Sequence, residues 1–340
     1  MLSKATKQTF SFGAAKPSKS AIGKGAEQRV TTARILAFLG IVMTLTFASI
    51  VSAKHLGDWS TPVNAESIPG TSSDLNTVFN DGCPILSPDS LSLYFASNRP
   101  GGLGGLDIWV AHRVHKNAPF GTPENLGEPV NTTADEFCPS PTRGHRLYFV
   151  STKAGGFGGS DIYVTRFKHG EWEQPQNLGC NINSTGSEAS PSYFEDEEGN
   201  ATLYFSSNRS GGFAPDTGTP DSDIYFSLNF GPAQLAPGLN TTSDDSRPNV
   251  RHDGREIVFD STRPGTLGGP DIWTATRENT EDDWDVPTHL DAPINSEASE
   301  TRASLSWDGK TMVFGSTRVG GEGSNDIYVT TRRKRGHDDD

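Results

Sequence analysis

The sequence predicts an all-β fold, a five-bladed β-propeller, and three observations carry that prediction. First, a strand-like run ending in Arg or Lys, a glycine loop and Asp-Ile-aromatic recur five times at a period near fifty residues. The copies run from Leu93 to Arg99 with Asp107-Ile108-Trp109, Leu147 to Lys153 with Asp161-Ile162-Tyr163, and Leu203 to Arg209 with Asp223-Ile224-Tyr225. Two more run from Ile257 to Arg263 with Asp271-Ile272-Trp273, and from Met312 to Arg318 with Asp326-Ile327-Tyr328. Second, each unit opens with Asn and, five residues on, a carboxylate: Asn76/Asp81, Asn131/Glu136, Asn183/Glu188, Asn240/Asp245 and Asn295/Glu300. Third, Trp59-Ser60-Thr61-Pro62 is an outer-strand copy with no blade before it, whereas the last unit stops at its third strand near Thr331. A fifth blade shared between residues 57–66 and 300–332 closes the ring, which removes exposed sheet edges.

The elements follow in order within each unit. Strand A leads into a tight turn such as Ser87-Pro88-Asp89-Ser90, Asp253-Gly254 or Asp308-Gly309, where Asp and Gly tolerate turn dihedrals. Strand B follows, then the glycine loop, then strand C. The fourth element carries aromatic, Pro and Leu at spacing three: Phe120/Pro123/Leu126, Trp172/Pro175/Leu178 and Trp284/Pro287/Leu290, with a shortened copy from Phe230 to Leu235. Proline there fits an edge strand, where its missing N–H is not needed. A hydrophobic content of 33% is adequate because a propeller distributes its core among blade interfaces.

The region before the propeller has a different character. Residues 1–34 carry seven Lys and Arg against Glu27, a net of +6, and Ile35 to Ala53 then runs uncharged for nineteen residues. As a helix that run spans about 28 Å, enough to cross a bilayer. Residues 1–34 are expected as a basic cytoplasmic tail, 35–53 as a transmembrane anchor, 57–332 as the propeller on the periplasmic side, and 333–340 as a charged tail. The competing reading is a secretory signal cleaved near Val51-Ser52-Ala53.

The repeat resembles the TolB-like propellers built from PD40 (WD40-like) repeats of bacterial envelope proteins. The residues that carry the resemblance are Ser87-Pro88-Asp89, Leu93 to Arg99 and Asp107-Ile108-Trp109, repeated in degraded form over about residues 57–332. The resemblance implies the propeller fold and an envelope location. It says little of activity, because such propellers serve as docking platforms, sensors and enzyme accessories alike. The α/β domain that precedes the propeller in TolB is missing from this pattern.

Charge separates the chain in two: with −13 overall and +6 in residues 1–34, the remainder carries −19, which excludes nucleic acid as a partner of the propeller. Two readings compete for the carboxylates Asp81, Glu136, Glu188, Asp245 and Glu300. They form a ring holding a divalent cation near one mouth of the channel, or they belong to a structural network. In that network Arg99, Lys153, Arg209, Arg263 and Arg318 pair with Asp107, Asp161, Asp223, Asp271 and Asp326, and with the recurring acids. Repetition in every blade favours the network, and Lys153 breaks it because an ammonium cannot form the same fork. The glycine loops read as hairpin connections. The third is six residues longer, and Asp216, Thr217 and Asp221 within it form a candidate contact surface. Cys83 and Cys138 occupy equivalent places on neighbouring A strands; with Cys180 they allow a disulfide without fixing its pairing.

No paired-acid, metal or nucleophile motif stands out, so the leading expectation is a non-enzymatic, membrane-anchored interaction or stabilising subunit of a membrane complex in the inner membrane, respiratory or photosynthetic, without cofactor. The alternative is a binding protein for glycan, envelope protein or cation, with Trp109 and Trp273 either stacking on sugars or filling the core. A third class is a five-bladed glycosidase.

Overall fold

A computed structural model describes residues 56–213 and 221–334. The basic tail, the uncharged run 35–53, Asp216 and Thr217, and most of the C-terminal tail lie outside the described residues. Among the described residues no helix is long and apolar enough to cross a membrane, and the anchor expected at 35–53 lies outside them.

Among the described residues twenty-one strands build five antiparallel sheets. β1 (Val63–Asn64) stands alone before blade one, which is β2 (Asp81–Leu86), β3 (Ser92–Ser97), β4 (Asp107–His112) and β5 (Glu124–Asn125). Blade two is β6 (Glu136–Thr142), β7 (Arg146–Ser151), β8 (Asp161–Lys168), β9 (Glu171–Trp172) and β10 (Gln176–Asn177). Blade three is β11 (Glu188–Glu195), β12 (Ala201–Ser207), β13 (Asp223–Leu228) and β14 (Gln234–Leu235). Blade four is β15 (Asp245–Val250), β16 (Glu256–Ser261), β17 (Asp271–Thr276) and β18 (Thr288–His289). Blade five is β19 (Glu300–Leu305), β20 (Thr311–Ser316) and β21 (Asp326–Thr331), and β1 completes it by pairing antiparallel with β21.

The closure expected from the two chain ends is therefore observed. One detail differs: the proline of each outer element precedes the strand instead of lying in it, as Pro62 precedes Val63 and Pro287 precedes Thr288. Fixed φ and a missing donor suit the entry to a two-residue strand better than its interior.

The second strands carry the core because both of their faces pack against neighbouring blades. Phe95, Phe149, Phe205, Phe259 and Phe314 occupy one position of the repeat and are completely buried, each stabilising by roughly 1.5–3 kcal/mol. The recurring Asn fastens one blade to the next. Asn131 accepts from the Ile108 N–H and donates to the Ile108 carbonyl, both at 2.9 Å, so a side-chain amide extends the C strand of blade one as a peptide would. Asn183, Asn240 and Asn295 repeat this on Ile162, Ile224 and Ile272, and Asn76 closes the ring on Ile327.

Candidate functional site

The recurring acids are fully buried and already engaged. Asp81 accepts from the Thr77 N–H and hydroxyl at 2.6 and 2.7 Å and pairs with Arg99 at 2.5 Å. Glu188, Asp245 and Glu300 make the same set with Ser184, Thr241 and Ser296 and with Arg209, Arg263 and Arg318. Glu136 likewise receives Thr132 and the Ser151 hydroxyl, as Glu188, Asp245 and Glu300 receive Ser207, Ser261 and Ser316, but Lys153 makes no ion pair with it; its ammonium lies 3.9 Å from the centre of the Tyr163 ring, and burial lowers its pKa. These contacts use the oxygens a cation would need. Among the described residues no group of three His, Cys, Asp or Glu side chains could hold a metal ion.

The Asp before each Ile does not meet the Arg. It turns into its own glycine loop and accepts a backbone N–H: Asp107 from Leu103 at 2.7 Å, Asp161 from Phe157, Asp223 from Phe213, Asp271 from Leu267 and Asp326 from Glu322. That contact explains the glycines, because a Cβ on Gly102 would stand 1.7 Å from the Asp107 carboxylate and one on Gly104 would stand 1.9 Å from the Ala134 carbonyl oxygen. The loop tips Leu103, Phe157, Phe213 and Leu267 are left 45–50% exposed at one face of the ring. Trp109 is buried beneath Arg99, and Trp273 is half-buried between Arg263 and His289, so both belong to the packing.

An open concavity lies elsewhere, between blades one and two, where a groove of about 950 Å³ is lined by Tyr94, His112, Glu124, Arg143, Phe167 and Trp172 among others. Its size suits a small-molecule or oligomer site. The repeat explains why it opens there. In blades one, four and five the residue six after the recurring Asp is Arg113, Arg277 or Arg332. Each donates Nε to its A–B turn carbonyl (Ser90, Gly254, Gly309) and covers the outer-element aromatic, Phe120, Trp284 or Trp59, at 4.1–4.4 Å. In blade two that residue is Phe167, whose ring meets Trp172 edge-on at 5.1 Å, and β8 runs on to pair with the added strand β9. Arg166, one residue earlier, donates Nε to the Gly144 carbonyl of this turn, but among the described residues no guanidinium lies over Trp172, which stays half-buried while the β8–β9 hairpin forms a wall.

Charge and polarity suit a neutral polar ligand. Glu124 stands on the blade-one wall and Glu171 on the blade-two wall. The Ser87 hydroxyl and the Leu91 N–H hold the Asp89 carboxyl below its usual range, so it is ionised, and burial raises the Tyr94 phenol. Neither Phe167 nor Trp172 was singled out as a site by motif. The signal was present as a departure from repeat: Phe where three other blades have Arg.

No protein-family model and no curated protein matches the sequence. Solved structures do. A thermostable family-43 glycoside hydrolase is 14% identical with a TM-score of 0.51, covering 79% of this chain and 94% of its own. An α-L-arabinofuranosidase from Lactobacillus brevis is 13% identical with a TM-score of 0.50, covering 81% and 96%. TolB from Acinetobacter baumannii is 14% identical at a TM-score of 0.44, covering 92% and 72%. At such identity the likeness establishes the five-bladed fold alone. It does overturn the expectation of a non-enzymatic chain, which rested on finding no catalytic motif: the same architecture is found in glycoside hydrolases, and a fold does not by itself carry a function. The chain is an all-β, five-bladed propeller, similar in fold to family-43 glycoside hydrolases.

Proposed function

We propose that the propeller engages a saccharide in the groove between its first and second blades. One observation carries the reading: the groove sets the exposed Phe167 ring and the half-buried Trp172 ring beside donors and acceptors from His112, Glu124 and Arg143. Sugars need this combination, with C–H faces stacking on rings and hydroxyls bonding to polar side chains. Isothermal titration of the full chain with oligosaccharides of varied linkage tests it; binding that disappears in Trp172→Ala supports the reading. Glu124 and Glu171 on opposite walls favour hydrolysis in the same groove as the accompanying activity, which reducing-end release during the titration would reveal.

A second reading has its own observation. The ring of exposed loop tips, Leu103, Phe157, Phe213 and Leu267, supports docking of an envelope protein or membrane-complex subunit on the opposite kind of surface, convex and apolar. We place the propeller beyond the cytoplasmic membrane, held by residues 35–53. The basic-then-uncharged order of the first 53 residues supports this, as does a disulfide joining Cys83 and Cys138, a bond that persists in oxidising compartments.

A further inference from the structure

Two residues after each recurring acid, the A strand carries a bulge that turns one side chain into the central channel: Cys83, Cys138, Ser190, Arg247 and Arg302. All five have left-handed backbone, with φ between 48° and 57°. This ring breaks the repeat, since position after position of the network is conserved from blade to blade and this one is not. On one side it is neutral: Cys83 and Cys138 form a disulfide with a Cα separation of 4.9 Å, and the Ser190 hydroxyl lies 3.2 Å from the Cys138 sulfur.

On the other side it carries two guanidiniums against one carboxylate. Asp260, completely enclosed, pairs through one oxygen with Arg247 and accepts the Arg302 backbone N–H at 2.9 Å through the other. The Arg302 side chain has no hydrogen bond and no ion pair among the described residues, and its Nε is sealed from solvent without a partner. It leans over Gly82, where a Cβ would lie 3.0 Å from its Nη1. Burial and the neighbouring Arg247 push its pKa down to about 10, still charged at neutral pH. Arg247 and Arg302 share the single Asp260 carboxylate, and the excess positive charge in so enclosed a place is costly. The adjoining cavity measures about 30 Å³, room for a guest the size of a water molecule or a halide.

We propose that the channel holds one halide-sized anion against the Arg302 guanidinium, facing Ser190 and the disulfide. The site is distinct from the groove between blades one and two, and neither depends on the other.

The test uses the full chain. Sodium bromide is titrated against sodium methanesulfonate at fixed ionic strength while the unfolding midpoint is followed, and bromide-grown crystals are measured at the bromine edge. The expected result is a saturable rise of about 3–5 °C at a hundredfold excess over Kd, with one anomalous peak beside Arg302. In Arg302→Met the bromide-specific rise disappears, and the midpoint in methanesulfonate does not fall, because an unmatched charge has been removed. The proposal is overturned if bromide and methanesulfonate act alike on the native chain, if Arg302→Met keeps the rise, or if the channel holds no bromine peak. The crystallographic arm decides the matter even if the variant does not fold.

Discussion

Replacing Arg263 by Met is expected to cost far more than replacing Lys153, although both stand at one position of the repeat. Arg263 is 7% exposed; it donates to the Ser261 hydroxyl at 3.0 Å and the Leu239 carbonyl at 2.6 Å, and pairs with the fully buried Asp245 at 2.5 Å. Its removal leaves a carboxylate inside the protein with hydroxyl and N–H donors but no cation, a loss of about 3–5 kcal/mol. Lys153 has no ion pair to lose, and its Tyr163 ring contact is worth about 0.5–2 kcal/mol. Urea unfolding at pH 7 reads both as midpoint changes at constant slope. Adding Asp245→Leu to Arg263→Met is expected to recover part of the loss, because the buried charge goes with its partner. Equal losses at positions 263 and 153, or a double variant no better than the single one, would refute the view that an internal charge and not the packing sets the cost.

Reducing the Cys83–Cys138 bond, which closes a loop of 55-residue separation, is expected to lower stability by about 4 kcal/mol; a Cys83→Ser/Cys138→Ser variant indifferent to reductant should show the same urea midpoint as the reduced native chain. Asp223 titrates in the folded chain at about 6, raised from 3.8 chiefly by burial, and one of its oxygens has no partner. A raised carboxyl pKa means that the folded chain takes up the proton first, so its penalty is present above pH 6 and is relieved as pH falls toward 4. Asp223→Asn should therefore be about 2–3 kcal/mol more stable than the native chain at pH 8, with the gap closing by pH 4; a pH-independent difference would contradict it. Phe167→Arg lays over Trp172 the guanidinium that blades one, four and five lay over their outer-element aromatic, and is expected to abolish saccharide binding while leaving the unfolding midpoint within about 0.5 kcal/mol of native.

Much of the fold was legible because a propeller writes its geometry into a repeat. The Asn that imitates a peptide on Ile108 and its copies, the Asp that fills the glycine loop, and the stray Trp59 element each recur at fixed offsets, so strand order and closure followed from spacing. Which acid the Arg meets did not follow, because Asp81 and Asp107 stand 18 and 8 residues from opposite sides of Arg99 and sequence distance does not choose between them. The candidate sites were less legible for the opposite reason. They lie where the pattern fails, at Phe167 in place of Arg, and at Cys, Ser or Arg two residues after the acid. A departure from a degenerate repeat looks like noise until the structure turns those side chains into a groove or a channel.

The most direct measurement of the central claim is a calorimetric titration of the full chain and of Trp172→Ala with a panel of neutral oligosaccharides. The account expects at least one to bind the native chain saturably and to lose that binding in the variant. Silence across the panel, or heat unchanged by Trp172→Ala, would contradict a saccharide site between blades one and two and shift attention to the apolar loop tips.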